Sequence, residues 1–490
     1  MKRVIIIGGG IAGLTAGVYA QKAGFESIIY EKHKFPGGEC TGWDRGDFHI
    51  DGCIHWLTGT KEGSGLYNIW KEIGGLKDGQ IYRPKYFNKT YYGDKEVILY
   101  RDLQKLKKHL LEIAPEDEKE IKELSKYIKT FANQDPFKYL ASKPPELMNF
   151  WEKTKYYLSM MKLGSAFAKL SKITVAEYLD NFKSQALRVA LQSIVPEEYC
   201  AYVLPSTLGT FISGNGDIPV GGSRLFAENI AEKYKKIGGK LELNQEVKKI
   251  LLRKGKAKAI ILEDGTEVEG DYIIPACDLN ITLKKLLEDK YNDPEFKKRY
   301  NDEESFPLST SVQLAFAVDD DLSQYPESLV VQTEDLDFED GKKDFLLMKH
   351  YCYQPSFAPK GKSIVTITYR ANYDWWKDLS RDRKDYNQEK KRLAEDIIKR
   401  MEKRFPELEG KIESIDVATP LTYERYCGAY KGSWMSFGIT PDGKQMMHDG
   451  RIEGIKNLFM AGQWLMTPGG LPTAALTGKW AVQRILKEEE

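Results

Sequence analysis

The chain has 490 residues, with 73 basic against 72 acidic side chains. It is long enough for two or three lobes with their own cores and too nearly neutral to draw nucleic acid through net charge. Its six cysteines, Cys40, Cys53, Cys200, Cys277, Cys352 and Cys427, never fall in C-x-x-C spacing, which argues against a zinc site or a thioredoxin-type redox pair, and no metal is expected.

The first element is the β-branched run Val4-Ile5-Ile6-Ile7. It is followed by Gly8-Gly9-Gly10-Ile11-Ala12-Gly13 and a helix with Leu14, Val18 and Tyr19 that closes at Gly24. A buried parallel strand, a tight glycine turn and a helix N-terminus aimed at an anion make a dinucleotide cradle. With 42 glycines in the chain, G-x-G-x-x-G register arises about 0.3 times by chance, so spacing alone is weak and context decides. Gly63-Ser64-Gly65 has Asn68 where the third glycine belongs, Gly214-Asn215-Gly216 has Pro219 there, and neither follows an apolar strand. The N-terminal copy does, and Glu31, at the end of the second strand Ser27-Ile28-Ile29-Tyr30, is placed to take both ribose hydroxyls. Lys2-Arg3 before an apolar run imitates a secretory signal, but six glycines between Gly8 and Gly24 make a poor signal core.

Past Glu31 and Lys32, the turn Pro36-Gly37-Gly38-Glu39 brings bare backbone close to the same ligand. Gly46 to Trp56 follows, containing Asp51-Gly52 and His55. Residues 81–214 read as helical. There Leu147 to Trp151 and Tyr156 to Met161 set large apolar side chains between Lys153, Lys155 and Lys162. Such a pattern suits a buried helix face, a lid over an apolar tunnel, or a surface resting on a membrane. Pro219 to Arg224 opens a helix ended by Gly238-Gly239. Strands follow at 246–252 and 257–262, and a turn at Asp264-Gly265 leads to another at 271–276. Residues 310–370 read as antiparallel strands, and 386–404 as a helix with Leu393, Ile397, Ile398 and Met401 on one face. Near the end, Asn457 to Trp464 precedes Pro468-Gly469-Gly470-Leu471-Pro472, which opens a last helix running through Ile485. No apolar run approaches the roughly 20 residues needed to span a bilayer, so a cytoplasmic protein is expected, with any membrane contact peripheral.

Together the N-terminal cradle, the Gly-Gly pair, the Ile50-Asp51-Gly52-Cys53-Ile54-His55-Trp56 stretch and the late Gly462 to Ala475 segment resemble one flavoprotein group. It comprises phytoene desaturases, carotenoid isomerases and retinol saturases, which share an FAD-binding fold with amine oxidases. The resemblance implies FAD, held by Gly8, Gly10, Ile11, Ala12, Gly13, Glu31, Lys32, Gly37, Gly38 and Glu39. It places Val247 where a valine meets adenine through its backbone, Gly462 and Gln463 beside the ribityl chain, and Gly470, Leu471 and Ala474 at a helix N-terminus facing the flavin ring. Glu39 stands where a basic residue is common near the pyrophosphate, and Gln463 where an acid commonly follows the late glycine. The implied architecture is α/β: a discontinuous Rossmann-like FAD-binding domain (1–80, 215–290 and 415–490), a helical lid or substrate insert (81–214), and a substrate domain with an antiparallel sheet (291–414).

The resemblance further implies an FAD-dependent oxidoreductase that moves hydride between flavin N5 and a carbon–carbon bond of a lipophilic polyene, isoprenoid or fatty-acid-like substrate, as desaturase, saturase or isomerase. Competing accounts are an amine or amino-acid oxidase, a redox-neutral fatty-acid isomerase or hydratase, and a non-catalytic flavin binder. No second nucleotide cradle is visible, so an electron donor or acceptor of unknown identity must act through the substrate pocket or a partner protein. His55 is the candidate proton donor, although a lone histidine beside Trp56 equally reads as structural. Tyr423, Tyr426 and Tyr430 are candidates to line the pocket.

Overall fold

The computed structural model describes all 490 residues. Strand Arg3–Ile7 lies within a parallel sheet ordered Lys240–Glu242, Glu26–Tyr30, Arg3–Ile7, Tyr272–Pro275. Val4 and Ile6 pack on one face with Leu14 of helix Ile11–Lys22, Phe226 of helix Gly222–Lys236 and Trp480 of helix Gly470–Glu489. Ile5 and Ile7 pack on the other with Val247, Ile250 and Ile260 of an antiparallel meander, Val247–Arg253, Lys256–Leu262 and Glu267–Glu269. Burial of both faces is why the run is continuously apolar rather than alternating.

Residues 457–461 extend this sheet beyond Tyr272–Pro275: the Ile273 N–H donates to the Asn457 carbonyl and the Ala461 N–H to the Pro275 carbonyl, each at 2.9 Å. Stretches of sequence from the start, middle and end of the chain thus share one sheet. Their carboxyl ends meet at one edge, where open α/β sheets bind ligands.

A second, mixed sheet of seven strands runs Ile412–Ala418, Ser311–Val318, Ser363–Arg370, Gly341–His350, Ser328–Phe338, Tyr86–Tyr92, Lys95–Tyr100. Its last two strands differ from the helical reading of 81–214. Tyr86–Tyr92 and Lys95–Tyr100 form a hairpin about the left-handed Gly93, and Leu329 to Val331 pair in parallel with Lys89 to Tyr91. The local chemistry is that of a hairpin, since aromatic and β-branched residues flank a Gly-Asp turn. Ile81–Tyr82 is a short strand paired with Ile218 and Pro219, and beyond the hairpin the segment's regular structure is helical, with Leu106, Leu124, Ile128, Leu187 and Leu204 building its core. Helix Phe150–Met161 is the exception, with no buried residue; reciprocal hydrogen bonds between Asn149 and Glu152 cap its start. Helix Arg383–Arg404 covers the seven-stranded sheet through Leu393, Ile397 and Met401.

Candidate cofactor and substrate cavity

At the end of the first strand the Gly8 N–H donates to the Tyr30 carbonyl at 2.8 Å, and helix Ile11–Lys22 begins after Gly10 without a side-chain cap. The first-turn N–H groups therefore have no acceptor within the helix and point along its dipole toward an anion. Gly13 does not face that opening. A Cβ there would overlap the Gly8 carbonyl oxygen, so this glycine seals helix to strand and lets the turn stay tight. Glu31, nearly buried at the tip of the second strand, accepts the Gly9 N–H at 2.6 Å through one oxygen and the His33 N–H at 2.8 Å through the other. Each oxygen keeps a lone pair for a ribose hydroxyl. The Gly37 N–H donates to the Gly9 carbonyl at 2.8 Å, laying the Gly37-Gly38 turn on the first loop. With φ of +123° and the Cys40 carbonyl where a Cβ would stand, Gly37 has room for no side chain.

The other end is built from late residues. Helix Gly470–Glu489 also starts without a side-chain cap, and the Gly462 N–H is held at 2.9 Å by the Thr477 hydroxyl of that helix. Gln463 joins the two ends, donating to Glu39 at 2.9 Å and accepting the Gly470 N–H at 2.9 Å. Burial raises the Glu39 carboxyl to about 8; the nearby Asp278 charge pushes the same way and the Gln463 hydrogen bond opposes. Burial also lifts Asp278 to about 6, although it accepts the Tyr430 N–H at 2.9 Å and the Asn280 N–H at 2.7 Å. Glu39 thus favours its neutral form at neutral pH.

One continuous cavity of about 2220 Å³ joins these parts. It is walled by Gly8, Gly10, Ile11 and Ala12, by Glu31, Lys32, Gly37, Gly38 and Glu39, by Val247, and by Gly462, Gln463, Gly470, Leu471 and Ala474. Among the residues that the resemblance assigns to the cofactor, Gly13 alone is not on this wall. The volume exceeds the roughly 300–1,000 Å³ of ordinary ligand sites, which leaves space beyond a dinucleotide. That space runs under the helical segment past Trp56, Phe87, Phe131, Phe211 and Tyr202, and over the seven-stranded sheet past Leu329 and Leu347. Tyr423, Tyr426 and Tyr430 are also on its wall; the Tyr423 hydroxyl donates to Gln313 at 2.7 Å.

His55 is exposed, and it faces this cavity. Desolvation by the protein crowded around that cavity, reinforced by the Lys349 ammonium, lowers its imidazole to about 3, which favours the neutral ring at physiological pH. Lys349 escaped the sequence reading, as did Asp278 and Gln313. Its one signal was a charge directly after the apolar Phe345-Leu346-Leu347-Met348 run.

A model of the family described as flavin containing amine oxidoreductase matches residues 11–486. The chloroplastic prolycopene isomerase of Daucus carota is 24% identical over 98% of this chain and 79% of its own length. All-trans-retinol 13,14-reductase of Danio rerio is 25% identical over 96% and 84%, and the 4,4'-diapophytoene desaturase (4,4'-diapolycopene-forming) of a Methylomonas species 22% over 96% and 93%. Among solved structures, an oxidoreductase from Methanosarcina mazei superposes with a TM-score of 0.64 at 17% identity, covering 98% of this chain and all of that one. The match over residues 11–486 shows that the chain belongs to the flavin-containing amine oxidoreductase family, as an FAD-dependent oxidoreductase.

Proposed function

We propose that the protein moves hydride between FAD and a carbon–carbon bond of a lipophilic polyene, isoprenoid or fatty-acid-like substrate, acting as desaturase, saturase or isomerase. The observation that carries this is the apolar, aromatic-lined space continuous with the glycine cradle. FAD, when bound, supplies a hydride acceptor or donor. The chain's part is to hold and orient. The backbone from Gly8 to Ala12 faces the pyrophosphate, with Gly13 keeping that turn tight from behind. Glu31 takes the ribose, with Lys32 beside it, and Val247 borders the adenine. The Gly37-Gly38-Glu39 turn, Gly462 and Gln463 flank the ribityl chain, and the helix start at Gly470, Leu471 and Ala474 faces the ring, favouring negative charge on its reduced form. In this reading segments 1–80, 215–290 and 415–490 serve the cofactor, and 81–214 and 291–414 enclose the substrate and exclude water.

The relatives named above are an isomerase, a reductase and a desaturase of prolycopene, retinol and diapophytoene, which supports a conjugated or isoprenoid chain as substrate. An amine oxidase reading fits less well, because the buried cation Lys349 on the cavity wall repels an ammonium substrate.

Helix Phe150–Met161 supports peripheral membrane contact. Phe150, Trp151, Tyr157, Leu158 and Met161 are exposed, Lys153, Lys155 and Lys162 lie among them, and Tyr156 and Met160 of the same helix line the cavity. An apolar surface studded with lysines suits an anionic bilayer, and here it backs onto the space a lipid would enter. No helix is long and apolar enough to cross a membrane.

Anaerobic mixing tests the reaction. Oxidised holoprotein should bleach with a saturated or partly saturated chain, or reduced holoprotein should regain its yellow band with a polyene, the product differing by two hydrogens. Product formed with neither colour change nor mass change removes the desaturase and saturase readings and leaves an isomerase, whereas product heavier by one water with no colour change makes the hydratase alternative right.

A further inference from the structure

Lys349 is a buried cation without a counter-ion. It sits on strand Gly341–His350, directly after Leu346, Leu347 and Met348, and is 8% exposed. Its ammonium donates to the His55 carbonyl at 3.1 Å and lies 5.3 Å from the centre of the Tyr351 ring. An ammonium carries three N–H donors, and no carboxylate stands within ion-pair distance. Asp51 and Glu327 act on it only through space. Both are engaged elsewhere: Asp51 accepts the Ser223 N–H at 2.9 Å and the Cys53 N–H at 3.1 Å, and Glu327 accepts the Tyr82 hydroxyl.

An unpaired charge in an apolar setting is costly, and its natural complement is an anion that arrives with the ligand. Leu329, Leu347 and Met348 line the cavity beside it, so that ligand must continue as hydrocarbon. The neutral His55 imidazole opens into the same space and offers one more N–H.

We propose that Lys349 is a headgroup anchor for a carboxylate-bearing lipid, an unsaturated or polyenoic acid whose carboxylate pairs with the ammonium while its chain lies in the cavity. The proposal rests on the lipophilic-substrate reading above and narrows it, since a pure hydrocarbon leaves the charge unpaired. An anchored head also fixes how far the chain reaches, and thereby which carbon–carbon bond is presented for reaction.

The test titrates FAD-loaded protein with oleate, methyl oleate and 1-octadecene below their aggregation limits, following the flavin absorption band and heat of binding. Oleate should bind at least about tenfold more tightly than its ester. Lys349→Met should bring oleate to the level of the ester while leaving ester affinity within about twofold, and Lys349→Arg should keep the preference. For the native protein, the preference should fade as pH rises through about 8, where the ammonium, lowered by burial, loses its proton. Equal affinity for acid and ester overturns the anchor, as does a Lys349→Met variant that weakens both alike or one that shifts the flavin potential while keeping the preference. If Lys349→Met fails to retain flavin, Lys349→Arg and the native pH titration decide. Failure of all three probes to bind removes the lipophilic reading itself, whereas equal binding of all three removes the anchor alone.

Discussion

Gln463 reaches across 424 residues of sequence to donate its amide N–H to Glu39 at 2.9 Å. The oxygen of the same amide accepts the Gly470 N–H at 2.9 Å, so one side chain locks the early glycine turn to the start of the last helix. Gln463→Ala removes both bonds and should raise the dissociation constant for FAD about tenfold or more, read from the fluorescence of released flavin. Gln463→Glu keeps an acceptor for Gly470 but sets a second acid against Glu39. Its loss should grow as pH passes about 8 and Glu39 ionises. Unchanged affinity in Gln463→Ala would mean the two glycine turns hold their places without it.

Glu39 also makes stability depend on pH. Its folded carboxyl titrates at about 8, above its ordinary 4.5, so between those values the folded chain binds more protons than the unfolded one. Stability from this group is full below the ordinary carboxyl range and declines as pH rises through about 8. Glu39→Gln should lessen the fall in Tm between about pH 5 and 9, measured by thermal unfolding of the two proteins in parallel. Parallel curves would show that Glu39 is ionised in the fold.

The two glycines of the first cradle should fail differently. A Cβ on Gly13 overlaps the Gly8 carbonyl, whereas one on Gly10 meets Gly37 and Gly38 at ordinary distances of 3.8 and 3.9 Å and stands at the cavity wall. Gly13→Ala should therefore destabilise the protein by about 1–3 kcal/mol through overpacking, visible as a lowered denaturant midpoint. Gly10→Val should fold with an unchanged midpoint for the cofactor-free protein, yet stay colourless because its side chain occupies the cofactor's space.

How much of this the sequence carried depends on whether the chemistry was local. The cradle was legible because Val4 to Gly13 holds strand, turn and helix start in ten consecutive positions, and Glu31 follows at the end of the next strand. The late segment was legible through its glycines, but the purpose of Gln463 was not. Its place after Gly462 suggested a missing charge, and only the fold shows that Glu39 and Gly470 use both ends of its amide. The hairpin Tyr86–Tyr92 and Lys95–Tyr100 has a local signal in its Gly93-Asp94 turn, and only its parallel pairing with Ser328–Phe338, far along the chain, lies beyond the sequence. Lys349 was hidden for the same reason: its carbonyl partner, His55, is 294 residues away.

Exposed aromatic residues on helix Phe150–Met161 should be needed for lipid contact and not for folding, since none is buried. Trp151 is 70% exposed and Leu158 54%. Burial of a large apolar side chain is worth about 1.5–3 kcal/mol, so Trp151→Ser with Leu158→Ser should cut partitioning into anionic vesicles at least about tenfold and leave Tm and flavin content unchanged. Flotation with anionic and with neutral vesicles checks this. Equal recovery of native and doubly substituted protein on anionic vesicles would remove the membrane role.

His55 gives the sharpest pH test of the site. The sequence offered it as a proton donor, but desolvation by the surrounding protein and the neighbouring Lys349 ammonium lower its imidazole to about 3. A neutral ring can donate an N–H or accept a proton, yet it cannot serve as an imidazolium acid at neutral pH. His55 should therefore contribute no limb to the rate profile at the ordinary histidine value. The sign for stability follows from the same shift. The unfolded chain binds a proton at about 6.5 and the folded one resists until about 3, so stability is full above the unfolded value and is lost as pH falls below it. His55→Gln, which keeps a donor and an acceptor, should retain flavin and soften that acid-side loss in a Tm series. A rate limb near the ordinary histidine value that vanishes in His55→Gln would restore the imidazolium as the acid and show that the cavity, once filled, holds His55 charged.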